Sequence, residues 1–257
     1  MVKGLEKFKE HFAHFKDNYV IIGGTACDII LQDTDMRPRA TGDIDMILVI
    51  EKITPEFSKC FWDFIVAGEY FIRQRHRSNK KPKAELFRFI NPKKGFPIQI
   101  ELLSKHPDIL GEPTGFHLTP IPVGDEISSL SAILLDDDYY NQAIENSILE
   151  NEIRIANPLS LICLKVKAFL NLIEEKKTNT SVRNSDIKKH RDDVFKLLAM
   201  SIDPFTQVEL SVNIKKSIND FICIIEQSLP NQSLQDSLQR TDDEIRGYLE
   251  IMKEIFG

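Results

Sequence analysis

Asp43 and Asp45 flank a single isoleucine, Ile44, at the head of the apolar run Met46-Ile47-Leu48-Val49-Ile50. In a β-strand alternate residues point to one side, which sets these two carboxylates together, roughly 6.5 Å apart along the chain. Like charges that close repel, and burying either one unpaired is costly. A divalent cation compensates both effects, because Mg2+ or Mn2+ takes hard carboxylate oxygens and is often held beside substrate phosphates. Upstream, Val20-Ile21-Ile22 runs into Gly23-Gly24-Thr25, ahead of a helix expected over residues 26–31. The two glycines leave the backbone open to a ligand, and open amides at a helix N-terminus form an anion site. Thr25 is expected to cap that helix and to offer its hydroxyl to a phosphate. An anion cradle beside a metal-binding carboxylate pair suggests a nucleoside triphosphate with its Mg2+.

The elements that must position these groups can be read from the pattern around them. Residues 86–90 and 97–103 alternate as strands about a turn at Asn91-Pro92-Lys93-Lys94-Gly95. In the second strand Ile98, Ile100 and Leu102 alternate with Gln99, Glu101 and Leu103, so Glu101 lies opposite the isoleucines. Glu101 is either an exposed strand acid or a third carboxylate for the site. A helix over residues 3–15 buries Leu5, Phe8, Phe12 and Phe15 and leaves His11 and His14 solvated or half-buried. Thr54-Pro55 opens another helix with Phe57, Phe61, Phe64 and Ile65 on its inner stripe. Residues 106–127 are rich in Pro and Gly and read as a linker to a helical remainder.

That remainder is expected to hold helices over residues 130–148, 158–174, 186–200, 206–227 and 242–256, with Ile153-Arg154-Ile155 a candidate short strand. The fold class is therefore α+β: a small mixed β-sheet core flanked by helices in residues 1–125, then an α-helical C-terminal domain in residues 126–257. Basic residues concentrate in one block, Arg73 to Lys83, which is either a solvated loop or an edge that contacts phosphates, including those of an RNA acceptor.

Composition bounds the reading. A chain of 257 residues with 42% hydrophobic and 28% charged residues can bury a substantial core. The net charge of −6 gives no global pull toward nucleic acid, so such binding must be local. No apolar run approaches the ~20 residues of a membrane span, and the start lacks the apolar region of a signal peptide. Cys27, Cys60, Cys163 and Cys223 are scattered among apolar neighbours, which points to reduced, core-packed thiols in a cytoplasmic protein. No Gly-x-x-x-x-Gly-Lys-Ser/Thr segment is present, which disfavours a P-loop NTPase.

Taken together, the strand, Gly-Gly, short helix and Asp-x-Asp resemble the nucleotidyltransferase superfamily related to DNA polymerase beta, and more closely the branch typified by the AbiEii toxins. Gly23-Gly24-Thr25-Ala26 and Arg39-Ala40-Thr41-Gly42-Asp43-Ile44-Asp45 carry that resemblance, with a longer intervening loop at residues 32–37 than is usual in that branch. Lys165-Val166-Lys167-Ala168 and the segment Lys189 to Leu197 extend it into the helical half. By the residues alone, Lys165 is a lysine at a helix boundary and Asp193 a helix-surface acid.

The resemblance implies nucleotidyl transfer, with Asp43, Asp45 and Glu101 as metal ligands and catalytic acids. It also implies catalytic roles for Lys165 and Asp193, and contacts from Gly23, Gly24, Thr25, Arg39 and Thr41 to the nucleoside triphosphate. The acceptor it implies is an RNA end, a protein hydroxyl or a small molecule. It further implies a toxin-like component of a toxin–antitoxin or phage-defence system, with a cognate antitoxin protein as partner. The competing reading is a catalytically idle nucleotidyltransferase fold that serves as a nucleotide- or protein-binding module.

Overall fold

In a computed structural model, the chain is described over residues 2–34, 41–72, 85–104, 136–201 and 208–256, with residues 110, 121, 122 and 133. Arg39 and the basic block from Arg73 to Lys83 lie outside the described residues. The architecture is α+β around one mixed sheet. Its strands are β1 (Tyr19–Ile22), β2 (Asp43–Leu48), β3 (Phe71–Ile72), β4 (Glu85–Ile90), β5 (Gln99–Ser104), β6 (Ile121–Pro122), β7 (Ser147–Glu150) and β8 (Ile153–Ala156). They lie in the order β3-β4-β5-β2-β1-β8-β7, with β6 also paired to β4. β2 runs antiparallel to β1 and parallel to β5, while β4 and β5 form the expected antiparallel hairpin.

Register decides which side chains share a face. Ile22 is paired with Asp45 and Tyr19 with Leu48 across β1 and β2. Ile44 and Ile100, and Met46 and Leu102, are paired across β2 and β5. The face bearing Tyr19, Ile44, Met46, Leu48, Phe89, Ile100 and Leu102 is closed to solvent. It is covered by helices α1 (Leu5–His11) and α3 (Pro55–Ala67) through an aromatic cluster in which Phe8 and Phe12 meet Tyr19, and Phe61 and Trp62 meet Phe89. α3 forms as its sequence dictates: Thr54 accepts from the Phe57 amide at 3.2 Å, and Pro55 occupies the first turn. α1 is shorter than expected. The chain turns after His11, yet Phe12 stays buried because its amide still donates to the Phe8 carbonyl at 3.0 Å.

The opposite face carries Asp43, Asp45, Gln99 and Glu101, and helix α2 (Gly23–Leu31) packs over it. Behind α2 stand α5 (Pro158–Lys176) and α6 (Asn184–Ser201). α5 starts as expected, with Asn157 accepting from the Ser160 amide at 2.8 Å and Pro158 in the first turn. Helices α7 (Val212–Ser228), α8 (Gln232–Leu238) and α9 (Asp242–Phe256) complete the chain. The capping box of α9 is reciprocal: Thr241 N–H donates to Glu244 at 2.8 Å, and Glu244 N–H donates to Thr241 Oγ1 at 3.3 Å.

One expectation about the C-terminal half is corrected. Among the described residues of the helix expected over 130–148, α4 (Asp137–Glu145), capped by Asp136, ends at Glu145, and residues 147 and 148 belong to strand β7 instead. Asn151 and Glu152 both take positive φ, 48° and 66°. This is the geometry of a two-residue hairpin turn whose twist matches its strands, and it folds β8 back on β7. β8 then pairs in parallel with β1 at Ile21 and Ile155.

Residues 147–156, which lie beyond the boundary expected at residue 125, belong to the same sheet as the acids. A single buried hydrophobic cluster takes in residues from Val2 to Phe256. Cys27 and Cys163 are buried and Cys60 is half-buried, but Cys223 is exposed rather than core-packed, and all four are free thiols. Among the described residues no helix is long and apolar enough to cross a membrane.

Candidate active site

Thr41 and Thr25 fix the entry of β2. The Thr25 hydroxyl donates to the Asp43 carbonyl, and the Asp43 amide donates to Thr41 Oγ1 at 3.4 Å. Thr25 therefore does not cap α2 and is not open to a phosphate. The helix begins three residues earlier than expected, at Gly23, which puts Thr25 inside the first turn and fully buried. Gly23 sits at φ +71°, and a Cβ added there would overlap the Asp45 carboxylate. Gly24 faces Thr41 less tightly, since a Cβ there would lie 3.3 Å from Thr41 Oγ1. The Gly-Gly pair thus lets the positive end of a nine-residue helix lie directly against Asp45.

Across the sheet, Asp45 is in register with Glu101 on β5, and Asp43 with Gln99. The three carboxylates share one face. Burial, and then the neighbouring Glu101, push the Asp45 carboxyl up to about 7, with Lys165 acting in the opposite sense. Glu101 Oε1 lies 2.7 Å from Arg88 Nε, and Gln99 Nε2 donates to the same oxygen at 2.8 Å. Arg88 stands directly opposite Glu101 in the β4–β5 ladder.

Lys165 and Asp193 do come together, though not as surface groups. Lys165 Nζ donates to Asp193 Oδ2 at 2.7 Å, with side chains 2% and 12% exposed. Burial opposes the lysine's charge, but Asp193, by charge and hydrogen bond, holds its pKa above the usual range. Burial opposes the Asp193 charge as well, and Lys165 outweighs it, so that carboxyl lies below its ordinary value. The pair lies within electrostatic reach of Asp45 and Cys27, joining α5 and α6 to the acidic face. Lys189, on the same helix as Asp193, adds positive potential at Asp45. His190 is held neutral, its pKa pushed down to about 3 by burial and then by Lys165; its Nδ1 has no hydrogen-bond partner.

The donor set suits a hard divalent cation at Asp43 and Asp45: two carboxylates on alternate residues of one strand, one of them driven toward its neutral form by burial and by Glu101. Among the described residues no three His, Cys, Asp or Glu side chains stand together as a ready metal cluster. Glu101, expected as the third ligand, is held by Arg88 and Gln99 instead. Arg88 and Gln99 were not anticipated. The alternation of β4 against Glu101 carries the signal, but only once the hairpin register is fixed. A separate groove of about 500 Å3 runs between α5 and α7, lined by Lys167, Lys177, Lys216, Glu174 and Asp220 among others, and includes none of Asp43, Asp45 and Glu101. Comparison with protein-family models, curated proteins and solved structures finds no match for this chain.

The raised Asp45 pKa has a definite sign in stability. Between about 4 and about 7 the folded state keeps a proton that the unfolded chain has lost, so Asp45 makes the fold less stable as pH rises through that window. Relative to Asp45→Asn, the wild-type protein without divalent ions should lose melting temperature steadily from about pH 4 to about pH 8. A flat difference in paired thermal melts would contradict the burial of an ionisable Asp45. For the Lys165–Asp193 pair, Asp193→Asn strands a buried cation and should cost about 3–5 kcal/mol. Lys165→Met combined with Asp193→Leu should cost less than that single change. Urea titrations of these variants, and of Lys165→Met and Asp193→Leu singly, measure this, and a loss in the double variant equal to the sum of its two single losses would show that the two groups are not coupled.

Proposed function

We propose that the protein is a metal-dependent nucleotidyltransferase, moving a nucleoside monophosphate from a nucleoside triphosphate to an acceptor. The observation that carries the reading is the packing of Gly23, in the first turn of α2, against Asp45, with Asp43 and Glu101 on the same face. Asp43 and Asp45 would hold the cation. When bound, Mg2+ offsets charge on the phosphates and on the departing pyrophosphate.

Each of the chain's own groups has a distinct part. The amides at the start of α2, free of side chains at Gly23 and Gly24, seat phosphate oxygens through the positive helix end. Asp45 needs its proton removed to serve as a ligand, and the nearby charges of Lys165 and Lys189 favour its ionised form. Lys165 is buried and tied to Asp193, so it works on Asp45 from behind and does not touch the nucleotide. It is a positioning residue. Glu101 is the candidate base for the acceptor hydroxyl once it is released from its strand partners. Thr41 fixes the strand entry, while Arg39, by resemblance, belongs to the phosphate side.

The acceptor is an RNA end, a protein hydroxyl or a small molecule, and the toxin-like role with an antitoxin partner rests on the resemblance alone. Incubation with each labelled nucleoside triphosphate, Mg2+ and total cellular RNA or protein should move label onto one acceptor class. Asp45→Asn should reduce that transfer by ~10² or more, the scale of losing a principal electrostatic stabiliser. Undiminished transfer by Asp45→Asn would overturn the assignment.

A further inference from the structure

Arg88 Nε lies 2.7 Å from Glu101 Oε1, and the place of Arg88 is set by the sheet. The β4–β5 register pairs Arg88 with Glu101 and Phe89 with Ile100, so Arg88 must rise on the acidic face while Phe89 enters the aromatic core. Both partners are largely withdrawn from water, at 17% and 16% side-chain exposure. In such surroundings a guanidinium–carboxylate contact is screened far less than on an open surface. Gln99, two residues before Glu101 on the same strand face, donates to the same Oε1. The neighbouring strand meanwhile presents Asp45 in register with Glu101. A cation seated at Asp43 and Asp45 would therefore meet a third carboxylate already engaged by a fixed positive charge.

Building on the nucleotidyltransferase reading, we propose that Arg88 is a positioning residue that competes with the divalent cation for Glu101. With Glu101 held by Arg88 and Gln99, the cation has the two aspartates. When Glu101 turns from Arg88 it brings a third carboxylate to the metal or to the acceptor hydroxyl. Arg88 thereby sets how tightly the site holds metal before substrate arrives, and it keeps three like charges from standing unbalanced on one face. The competition is thermodynamic: whatever Arg88 takes from metal affinity, the metal takes equally from the Arg88–Glu101 contact.

The test is Mn2+ binding to the full chain without nucleotide, read by electron paramagnetic resonance of free Mn2+ and checked by calorimetry. Arg88→Met keeps an unbranched aliphatic side chain and removes the charge. It should bind Mn2+ about fivefold tighter or more, the lower end of ordinary coupling between sites. In a Glu101→Gln background the same change should have no effect, which a merely structural arginine would not predict. Unchanged or weaker binding by a folded Arg88→Met overturns the proposal, as does an equal gain in the Glu101→Gln background.

Should Arg88→Met fail to fold, Arg88→Lys takes its place. It keeps the charge but loses the planar fork; a smaller tightening supports the proposal and none overturns it. Asp45→Asn separates the two levels of the argument. If it binds Mn2+ as wild type does, the metal site itself is misassigned and both readings fall. If it loses Mn2+ while Arg88→Met stays at the wild-type value, only the role of Arg88 is wrong.

Discussion

The constraint on which this structure turns is the crowding of Asp43, Asp45 and Glu101 on one sheet face under a layer of helices. Negative charge withdrawn from water must be answered locally, and three separate devices answer it. The positive end of α2 is brought against Asp45 because Gly23 has no side chain to hold it off. The Lys165–Asp193 pair stands behind, contributing a lysine whose charge is retained despite burial. Arg88 and Gln99 hold Glu101 from the side. Even so, the balance at Asp45 still favours its proton more than an ordinary carboxyl would. That residual demand for positive charge is what a divalent cation would supply.

The same constraint explains why the helical half cannot be separated from the sheet. α5 supplies Lys165 and α6 supplies Asp193, and both helices pack on α2. The β7–β8 hairpin adds β8 to the edge of β1, the strand that leads into Gly23. Helix α4 ties the layers further: the Tyr140 hydroxyl donates to the Leu48 carbonyl at 3.0 Å, and the Tyr139 hydroxyl donates to Ser217 on α7 at 2.8 Å. The site is thus held by elements from nearly the whole described chain.

How much of this is legible in the sequence follows from the range of each interaction. Local signals read well: the alternation that puts Asp43 and Asp45 on one face and the cap at Thr54 both depend on residues within a few positions of each other. Thr25 misled because a threonine before a helix is a common cap, whereas here the positive φ of Gly23 lets the helix start earlier and turns the hydroxyl to Asp43. The β7–β8 hairpin was obscured because its turn uses Asn151-Glu152 where Asn-Gly would be the usual signal. Lys165 and Asp193 are 28 residues apart, and only the packing of two helices decides that they are buried partners and not surface charges. Arg88 needed the hairpin register before it could be assigned to Glu101 at all.

The account stands or falls on a cation at Asp43 and Asp45. The most direct measurement is a crystal grown with Mn2+ and a non-hydrolysable nucleoside triphosphate analogue, with data collected to reveal the anomalous scattering of manganese. The account predicts an anomalous peak in contact with carboxylate oxygens of both Asp43 and Asp45, with the analogue's phosphates beside Gly23 and Gly24. A peak elsewhere on the chain, or phosphates bound away from the start of α2 with no manganese at the two aspartates, would contradict it.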